Sequence, residues 1–364
     1  MAEPDRDSHG DPLVEYRSMR DFERTPEPAG EDRPDAGNRF VVQEHHATAL
    51  HWDFRLERDG VLVSWAVPKG VPPDPEVNHL AVHTEDHPIS YIDFEGHIPE
   101  GEYGGGKVAI WDQGTYECHK WEDREVMVTI SGKRARGRYV LFRTGGKNWM
   151  MHRMDPPEDP GRELMPRGVT PVTLPVGQVP ADEEAWSFEV AWGGRRTLVS
   201  SEGGRVRVDG EDGEVTGRYP ELRHLGRALG AVAVIMEGEV VAVGADGRPD
   251  ADTLARRDEA RSPGALRRVS ERAPVSFFAA DVVWMEGHST TTLPHRERRQ
   301  LLDRLELAGP SWQTTPSHAG AGAALLQAAR DQALAGVVGR RLEGGYEPDN
   351  LVFVPAGAGA GHRC

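Results

Sequence analysis

Cysteine is nearly absent from this 364-residue chain, which contains only Cys118 and Cys364. Two cysteines cannot form the disulfide framework of a small secreted domain or a cysteine-rich zinc site. The chain also lacks any run of about 18 apolar residues, the minimum for a membrane-spanning helix. Residues 1–10 are charged and have no apolar segment of the kind found in signal peptides. We therefore expect a soluble, cytoplasmic protein without a membrane partner.

Positive charge is scarce as well. Lysine and arginine total 43 against 59 aspartates and glutamates, which gives a formal net charge of -16. This balance argues against bulk electrostatic attraction to nucleic acid or to an anionic membrane. Any nucleic-acid contact must then depend on a local basic pocket or on a metal. The length suits about two domains, each large enough to bury a core.

Composition divides the chain into five segments. Residues 1–37 are acidic and proline-containing, so we expect a partly disordered leader whose segment 13–28 docks on the first domain. Residues 38–155 form many short strands, including 61–67, 80–83 and 107–111, the last followed by a turn at 112–114; this spacing is typical of a barrel or sandwich. Residues 156–183 are a proline-rich linker. Residues 184–355 mix strands with helices at 222–229, 295–307 and 319–335, which predicts an α+β domain. Residues 356–364 form a flexible tail.

One predicted strand concentrates the polar chemistry of the first domain. From His51 to Leu56 polar and apolar residues alternate, so His51, Asp53 and Arg55 share one face while the other face anchors the strand in a core. Histidine and aspartate ligate divalent metals, and the planar fork of arginine suits phosphate. His45 lies just upstream, near enough to join them. The alternative is an ordinary surface strand with assorted polar residues.

Three more polar residues follow neighbouring strands. Lys69 lies at the exit of the 61–67 strand, and His87 and Tyr91 follow the 80–83 strand, where reactive groups are often placed on a barrel. Two histidines and one aspartate would leave metal positions open for water and substrate. Arg55, Lys69 and a protonated His87 could hold phosphate oxygens.

Residues 13–155 closely resemble the 3′-phosphoesterase domain of bacterial DNA ligase D, a repair enzyme of non-homologous end joining. The matching stretches, in order, are QxHxAxxLHWDFRL (43–56), SWAVPKG (64–70), EDHP (85–88), FEGxIPEGEYGGG (94–106) and IWD (110–112). The upstream RDF (20–22) and EP (27–28) match the N-terminal segment of that family.

The resemblance implies a small closed β-barrel that uses manganese to trim 3′ ends of DNA. The family removes a terminal ribonucleoside and then the remaining 3′-phosphate, which leaves a 3′-hydroxyl. By position, the implied metal ligands are His45, His51 and Asp53. The implied phosphate-contacting residues are Arg55, Lys69, His87 as a general acid, and Tyr91. The implied ribonucleotide-recognition residues are Arg20, Asp21 and Glu27.

One departure from the family concerns the phosphate pocket. Family members usually carry an arginine where this chain has His79. Loss of that fixed charge on the phosphate could cost about 1.5–3 kcal/mol. We therefore expect weaker or more pH-dependent activity.

Residues 184–355 resemble the adenylating domain of an ATP-dependent DNA ligase. The landmarks include Phe188-Glu189-Val190, Arg196, and the stretches 216–222, 237–242 and 294–299. Where ligases carry the nucleophilic Lys-x-Asp-Gly, this chain has Ala191-Trp192-Gly193-Gly194, and alanine has no amine to attack ATP. Ala280 replaces an adenine-stacking aromatic, and Arg340 replaces a later lysine. We expect a degenerate, pseudo-ligase domain that does not use ATP.

Three functional hypotheses remain at this point. The first is a metal-dependent 3′-phosphoesterase, acting on 3′ ends of DNA or on DNA with a terminal ribonucleotide. Its expected partners are a Ku-type end-binding protein and a separate ligase or polymerase, at the nucleoid in the cytoplasm. The second is a non-enzymatic end-joining scaffold. The third is a ferrous oxygenase with a two-histidine, one-carboxylate site. Zinc, cobalt or iron would also suit the donor set, so manganese is the expectation only by resemblance.

Overall fold

The computed structural model describes residues 11–30, 37–244, 248–260 and 262–357. The chain divides into two compact units, residues 1–160 and 161–364. The predicted disorder of residues 1–10 and 31–36, and of the tail at 358–364, lies outside the described residues. In the part of the chain that is described, no helix is both long and apolar enough to cross a bilayer.

The first unit is built from short antiparallel strands, as predicted from its evenly spaced glycine turns. A one-and-a-half-turn helix, α1 (Val14–Ser18), precedes them, and a 3₁₀ turn spans Ile89–Asp93. The strands are β1 (Arg39–His46), β2 (Leu50–Arg58), β3 (Val61–Val67), β4 (Asn78–His83), β5 (His87–Pro88), β6 (Gly96–Ile98), β7 (Gly106–Glu122), β8 (Glu125–Ser131), β9 (Arg136–Gly145) and β10 (Asn148–Arg153).

Eight of these strands close into a barrel. The order is β1-β2-β3-β4-β10-β9-β8-β7, and β7 pairs back with β1. The expected small closed β-barrel is therefore confirmed. The short strands β5 and β6 lie outside this circuit, on β3 and β7.

The turn predicted at residues 112–114 is wrong, because β7 continues through it. Val42 pairs with Asp112 whereas Gln43 pairs with Ile110, so Trp111 is an extra residue on β7. Such a β-bulge bends a strand without ending it. The polar Asp-Gln-Gly sequence therefore marks a bend in a long strand.

Aromatic side chains fill the barrel interior. Phe54 lies 6.3 Å from Phe40 and 6.4 Å from Trp65, measured between ring centroids, and Trp65 lies 5.8 Å from Trp149. Since β3 and β10 are not neighbours in the sheet, Trp65 and Trp149 must meet across the inside. Successive side chains point to opposite faces of a strand. The polar residues that alternate with Phe54 on β2 therefore lie on the outer face of the barrel.

An outer layer covers that face. Tyr16 of α1 is fully buried against Val41, Leu62 and Tyr91. The Tyr16 hydroxyl donates to the Pro28 carbonyl at 2.7 Å, which ties the two ends of the leader segment together. Residues 11–30 thus form a strap over the outside of β1–β3.

In its described residues, the second unit combines two sheets with five helices. The helices are α2 (Arg223–Leu229), α3 (Ala251–Asp258), α4 (Pro263–Arg272), α5 (His295–Asp303) and α6 (Gly322–Asp331). The strands are β11 (Trp186–Ala191), β12 (Arg195–Glu202), β13 (Arg205–Gly210), β14 (Gly213–Glu214), β15 (Val234–Ala242), β16 (Val275–Met285), β17 (His288–Ser289), β18 (Ala308–Gly309), β19 (Trp312–Thr314), β20 (Ser317–Ala319), β21 (Gly336–Arg341) and β22 (Leu351–Pro355).

The larger sheet has the order β14-β13-β12-β15-β16-β19-β18, with β17 on β16, and the smaller has β20-β11-β21-β22. The α+β class is therefore confirmed. Two predicted helices are shorter than expected. The helix predicted at 295–307 ends at Asp303. The helix predicted at 319–335 begins at Gly322, because residues 317–319 form β20. The interior strand β16 was missed, since its largely apolar sequence lacks the alternation that marks a half-buried strand.

The proline-rich segment predicted as a linker lies against the second unit. Leu174 is buried with Ala191, Val338 and Leu351 in one apolar cluster. The Gly177 amide donates to the carbonyl of Phe353 at 2.9 Å. Residues 161–182 therefore follow the surface of the second unit in an extended conformation.

Candidate metal centre and phosphate pocket

The β1–β2 hairpin places two imidazoles and a carboxylate side by side. His45 lies directly opposite His51 in the strand register, with ring centroids 4.8 Å apart. Asp53 follows two residues along β2, on the same face as His51. One potential ligand atom from each of the three lies within 4.8 Å of the others, the one such group found in the described part of the chain.

The far nitrogen of each imidazole donates to a backbone carbonyl. Nε2–H of His45 donates to Gly104 at 2.7 Å, and Nδ1–H of His51 donates to Ala49 at 2.9 Å. The remaining nitrogens, Nδ1 of His45 and Nε2 of His51, lie 3.4 and 3.6 Å from the carboxylate oxygens of Asp53. Metal-ligating histidines are commonly oriented by such a second partner. The donor set therefore fits a divalent transition metal.

Asp53 is buried yet held in its charged form. Burial alone raises the pKa of this carboxyl, but the charge of Arg55 opposes burial, and the pKa lies well below its usual range. A carboxylate must be ionised to ligate a metal. Asp53 is thus ready to bind a cation at neutral pH.

Arg55 is fixed by three hydrogen bonds. Its Nη2 donates to Asp53 at 3.0 Å, its Nε to Gln43 at 2.8 Å and its Nη1 to Ser64 at 2.8 Å. Gln43 in turn donates to the carbonyls of Tyr91 and Phe94, at 3.1 and 2.9 Å. The guanidinium is therefore locked beside the metal ligands.

His87 is held in its neutral form by its surroundings. Its Nδ1–H donates to the Glu85 carbonyl at 2.9 Å, and its Nε2 accepts from Nη2 of Arg20 at 3.2 Å. Complete burial, followed by the charges of Arg55 and Arg20, lowers the pKa of His87 well below its ordinary value. Two guanidinium groups nearby disfavour a third positive charge.

The strap supplies the second of these guanidinium groups. Arg20 donates to Glu27 at 2.9 Å and to Glu85 at 3.1 Å, so both carboxylates surround it. The Tyr91 hydroxyl donates to Glu27 at 3.0 Å, and the Tyr91 ring lies 4.8 Å from His87 between centroids. The predicted residues Arg20, Glu27, His87 and Tyr91 therefore form one connected cluster.

Three other predicted residues lie apart from that network. Asp21 is exposed, and its carboxylate accepts from the amide of Glu23 at 3.1 Å within a turn. Nδ1–H of His79 donates to the Gly70 carbonyl at 2.7 Å. Lys69 is half-buried and forms no ion pair or side-chain hydrogen bond within the described residues. Its ammonium therefore remains available to an anion.

Sequence reasoning assigned no role to four residues that hold the pocket together: Gln43, Ser64, Glu85 and Tyr16. Correct strand pairing would have identified two of these residues. Ser64 lies opposite Arg55 in the β2–β3 register, and Gln43 lies opposite Asp53 in the β1–β2 register. Register depends on turn geometry as well as on pattern, so alternation within one strand did not identify these partners.

The second unit has a small cavity behind β11, where a ligase would carry its nucleophile. Its volume is about 20 Å³, room for about one water. Trp192 stacks on Phe278, with ring centroids 4.6 Å apart. The Glu239 carboxylate accepts from the amides of Trp192 and Gly194, at 3.3 and 2.9 Å, and so fixes the loop after Ala191.

Arg340 fills the polar side of this cavity. It is buried and lies 3.3 Å from Glu189, 2.9 Å from Glu237 and 3.2 Å from Asp281. Glu237 also pairs with Arg196, and Asp281 with Arg298. The three acids are thus neutralised within the protein.

Two family models match successive parts of the chain. Residues 43–143 match the DNA ligase D 3′-phosphoesterase domain, and residues 178–352 match the ATP-dependent DNA ligase domain.

The multifunctional non-homologous end joining protein LigD of Mycobacterium bovis is 40% identical over 347 residues, covering 93% of this chain and 44% of the relative. The LigD protein of Pseudomonas aeruginosa is 33% identical over 395 residues, covering 92% of this chain and 46% of the relative. A solved structure of mycobacterial DNA ligase D complexed with ATP and MES is 24% identical, covers 52% of this chain and 60% of that chain, and has a TM-score of 0.42. The chain spans less than half the length of these two curated relatives.

Proposed function

We propose that this chain, which belongs to the DNA ligase D family, uses its first domain to process 3′ ends of DNA during repair. The reaction is metal-dependent removal of a 3′-terminal ribonucleoside and of a 3′-phosphate, which leaves a 3′-hydroxyl. Substrates are 3′ ends of DNA and DNA with a terminal ribonucleotide. The enzyme is a phosphoesterase with manganese as its native metal, and other divalent transition metals suit the same donors.

The observation that carries the proposal is the convergence of His45, His51 and Asp53 beside a locked guanidinium. In each imidazole one nitrogen donates its N–H to a backbone carbonyl. The other nitrogen lies 3.4 Å (His45) or 3.6 Å (His51) from a carboxylate oxygen of Asp53. These three groups present lone pairs to one another, so a proton or a metal ion between them is favoured. The nearby cations suit a phosphoester substrate.

A bound divalent metal would neutralise phosphate charge and lower the pKa of a coordinated water. His45, His51 and Asp53 would hold it. The remaining N–H groups of Arg55 and the free ammonium of Lys69 would orient the phosphate oxygens. In the cluster described above, His87 keeps its proton on Nδ1 and offers Nε2 as an acceptor.

A general-acid role for His87 requires a proton on Nε2. A phosphate dianion entering the pocket favours the charged imidazole, as any nearby anion does. Binding of substrate would thus raise the pKa of His87 and displace the hydrogen bond from Arg20. His87 would then donate that proton to the leaving oxygen.

The test is an end-trimming assay on a primer–template with a 3′-phosphate, across a series of manganese, zinc, cobalt, magnesium and iron(II). His51→Ala and Asp53→Ala should each abolish trimming and weaken metal binding measured by calorimetry. The exposed His119, bonded to Thr129 at 2.7 Å, supplies the matched control His119→Ala, which should trim normally. Full activity of Asp53→Ala would refute the proposal.

The same assay separates the two alternatives. A non-enzymatic scaffold would leave the 3′-phosphate intact with every metal. A ferrous oxygenase would need iron and oxygen and would leave the primer unchanged. Neither alternative accounts for the basic and phosphate-suited groups beside the metal donors.

We further propose that the second domain does not adenylate itself or use ATP. Support comes from Ala191 at the nucleophile position, from the small cavity and from Arg340 among the acids. Incubation with labelled ATP should give no covalent nucleotide. A labelled chain would overturn this proposal and leave the first unaffected.

The remaining expectations concern the setting of the reaction. A Ku-type end-binding protein and a separate ligase or polymerase are the proposed partners, at the nucleoid in the cytoplasm. Co-purification from cells treated with a DNA-breaking agent, with and without nuclease, tests both partners and place.

A further inference from the structure

Tyr103 is an exposed aromatic residue at the edge of the phosphate pocket. Its relative exposure is 48%, whereas the other six tyrosines of the chain are buried, within the described residues. Burial of an aromatic ring is favourable, and Tyr103 forgoes part of it. Its exposure is therefore either incidental or connected with binding. The loop that carries it distinguishes the two.

The loop from residue 99 to residue 106 is held rigidly. The Glu102 amide donates to Pro99 at 3.2 Å, and the Gly105 amide donates to Glu102 at 3.0 Å. Gly104 has φ of +73°, a conformation that favours glycine. Glu102 also pairs with Arg24 of the strap at 2.8 Å. Tyr103 is therefore exposed on a fixed backbone.

Contacts on both sides of Tyr103 connect it to the pocket. Its hydroxyl donates to Glu85 at 3.4 Å. Its ring lies 5.4 Å from the guanidinium carbon of Arg20, and Nη2 of Arg20 donates to His87. The next residue, Gly104, accepts the hydrogen bond from His45. A molecule whose phosphate lies between His45 and His87 would thus pass the exposed ring.

We propose that the ring of Tyr103 stacks on the base of the nucleotide that bears the 3′-phosphate. Stacking needs a planar ring that is exposed, pre-oriented and close to the phosphate site, and Tyr103 meets all three conditions. Base–aromatic stacking tolerates any base, which suits an enzyme that must accept ends of any sequence. This inference rests on the function proposed above and adds to it how the terminal nucleotide is recognised.

The kinetic test compares Tyr103→Ala, Tyr103→Phe and wild type in the full-length chain. On a 3′-phosphate end with an ordinary base, Tyr103→Ala should raise KM about tenfold or more, as expected from loss of one stacked base, with little change in kcat. On an end whose terminal nucleotide is abasic, Tyr103→Ala and wild type should behave alike. Tyr103→Phe keeps the ring and should match wild type on both ends.

Three results would overturn the proposal. One is an unchanged KM for Tyr103→Ala on base-bearing ends. Another is an equal loss on abasic ends, which would indicate a structural role. The third is a Tyr103→Phe variant as impaired as Tyr103→Ala, which would assign the effect to the hydroxyl and Glu85. Met154→Ala, which removes an apolar side chain that is 42% exposed, is the control for loss of surface area.

A binding measurement separates failure of this inference from failure of the proposed function. A 2-aminopurine base at the 3′-phosphorylated end should lose fluorescence when it stacks on Tyr103 of wild type and should not on Tyr103→Ala. This quenching needs no turnover. If the chain does not trim the end but quenches the fluorescence through Tyr103, the phosphoesterase proposal is refuted and the stacking site is retained. If it trims the end without such quenching, the stacking site is refuted and the phosphoesterase proposal is retained.

Discussion

Nη2 of Arg55 lies 3.0 Å from Oδ2 of Asp53, and both side chains are buried on the outer face of β2. Two residues apart on one strand, they form an ion pair in which one partner is a candidate metal ligand and the other a candidate phosphate contact. The pair explains how a buried carboxylate stays ionised in the absence of bulk water. A substitution of either residue should therefore affect both the metal ligand Asp53 and the phosphate contact Arg55.

Replacing Arg55 should therefore destabilise the barrel as well as impair metal binding. Arg55→Ala leaves Asp53 buried without its cation, which should cost about 3–5 kcal/mol. Arg55→Lys keeps the charge but cannot donate to Asp53, Gln43 and Ser64 together, so its loss should be smaller. Calorimetric unfolding measures both. Arg138→Ala, at an exposed position of β9, is the control and should change stability by less than about 0.5 kcal/mol. Equal stability of Arg55→Ala and wild type would contradict this prediction.

His87 should make the first unit less stable in mild acid. Its pKa in the folded chain is lowered by burial and by Arg55 and Arg20, so the unfolded chain takes up the proton first. The stabilisation is complete above about pH 6.5, the unfolded value, and is lost as pH falls below it. Melting temperatures from pH 7.5 to 5 should fall less for His87→Gln than for wild type. The exposed His119→Gln should parallel wild type, and parallel curves for all three would refute the prediction.

The alternation of residues 51–56 correctly predicted which side chains share one face, because strand period is a local property. The pattern identified His51, Asp53 and Arg55 as neighbours, and the geometry now brings them together. It could not identify Arg20 as the partner of His87, because that contact joins residues 67 positions apart through the docking of the strap. Nor could it show that the pKa of His87 depends on Arg55 and Arg20, which belong to two other elements.

Burial on both faces explains the main error in the second unit. Residues 275–285 form an interior strand of the larger sheet, and nine of these eleven residues are buried. A strand buried on both sides reads as a continuous apolar run, which periodicity cannot separate from a helix segment.

Asp86 should destabilise the first unit at neutral pH. Burial, and then the charges of Glu15 and Glu85, raise the pKa of its carboxyl to about 6. Because this is above the unfolded value, the penalty is present above about pH 6 and disappears as pH falls towards 4. Asp86→Asn should stabilise by about 1 kcal/mol at pH 7.5, after allowance for solvent screening. The gain should vanish near pH 4. Glu117→Gln, at an exposed site, should give no such pH-dependent gain; a gain for Asp86→Asn that persists at pH 4 would contradict the assignment.

Arg340 should be a main stabilising residue of the second unit. Its guanidinium contacts Glu189, Glu237 and Asp281, and removing it leaves buried carboxylates short of positive charge. Arg340→Ala should therefore cost about 3–5 kcal/mol in urea unfolding.

Arg341 provides the matched control on the same strand. It is exposed and lies 3.8 Å from Asp182, so Arg341→Ala should cost less than about 1 kcal/mol. Arg340→Lys should fall between the two, because one ammonium cannot bridge three carboxylates. A lysine variant as stable as wild type would mean that charge alone suffices at this site.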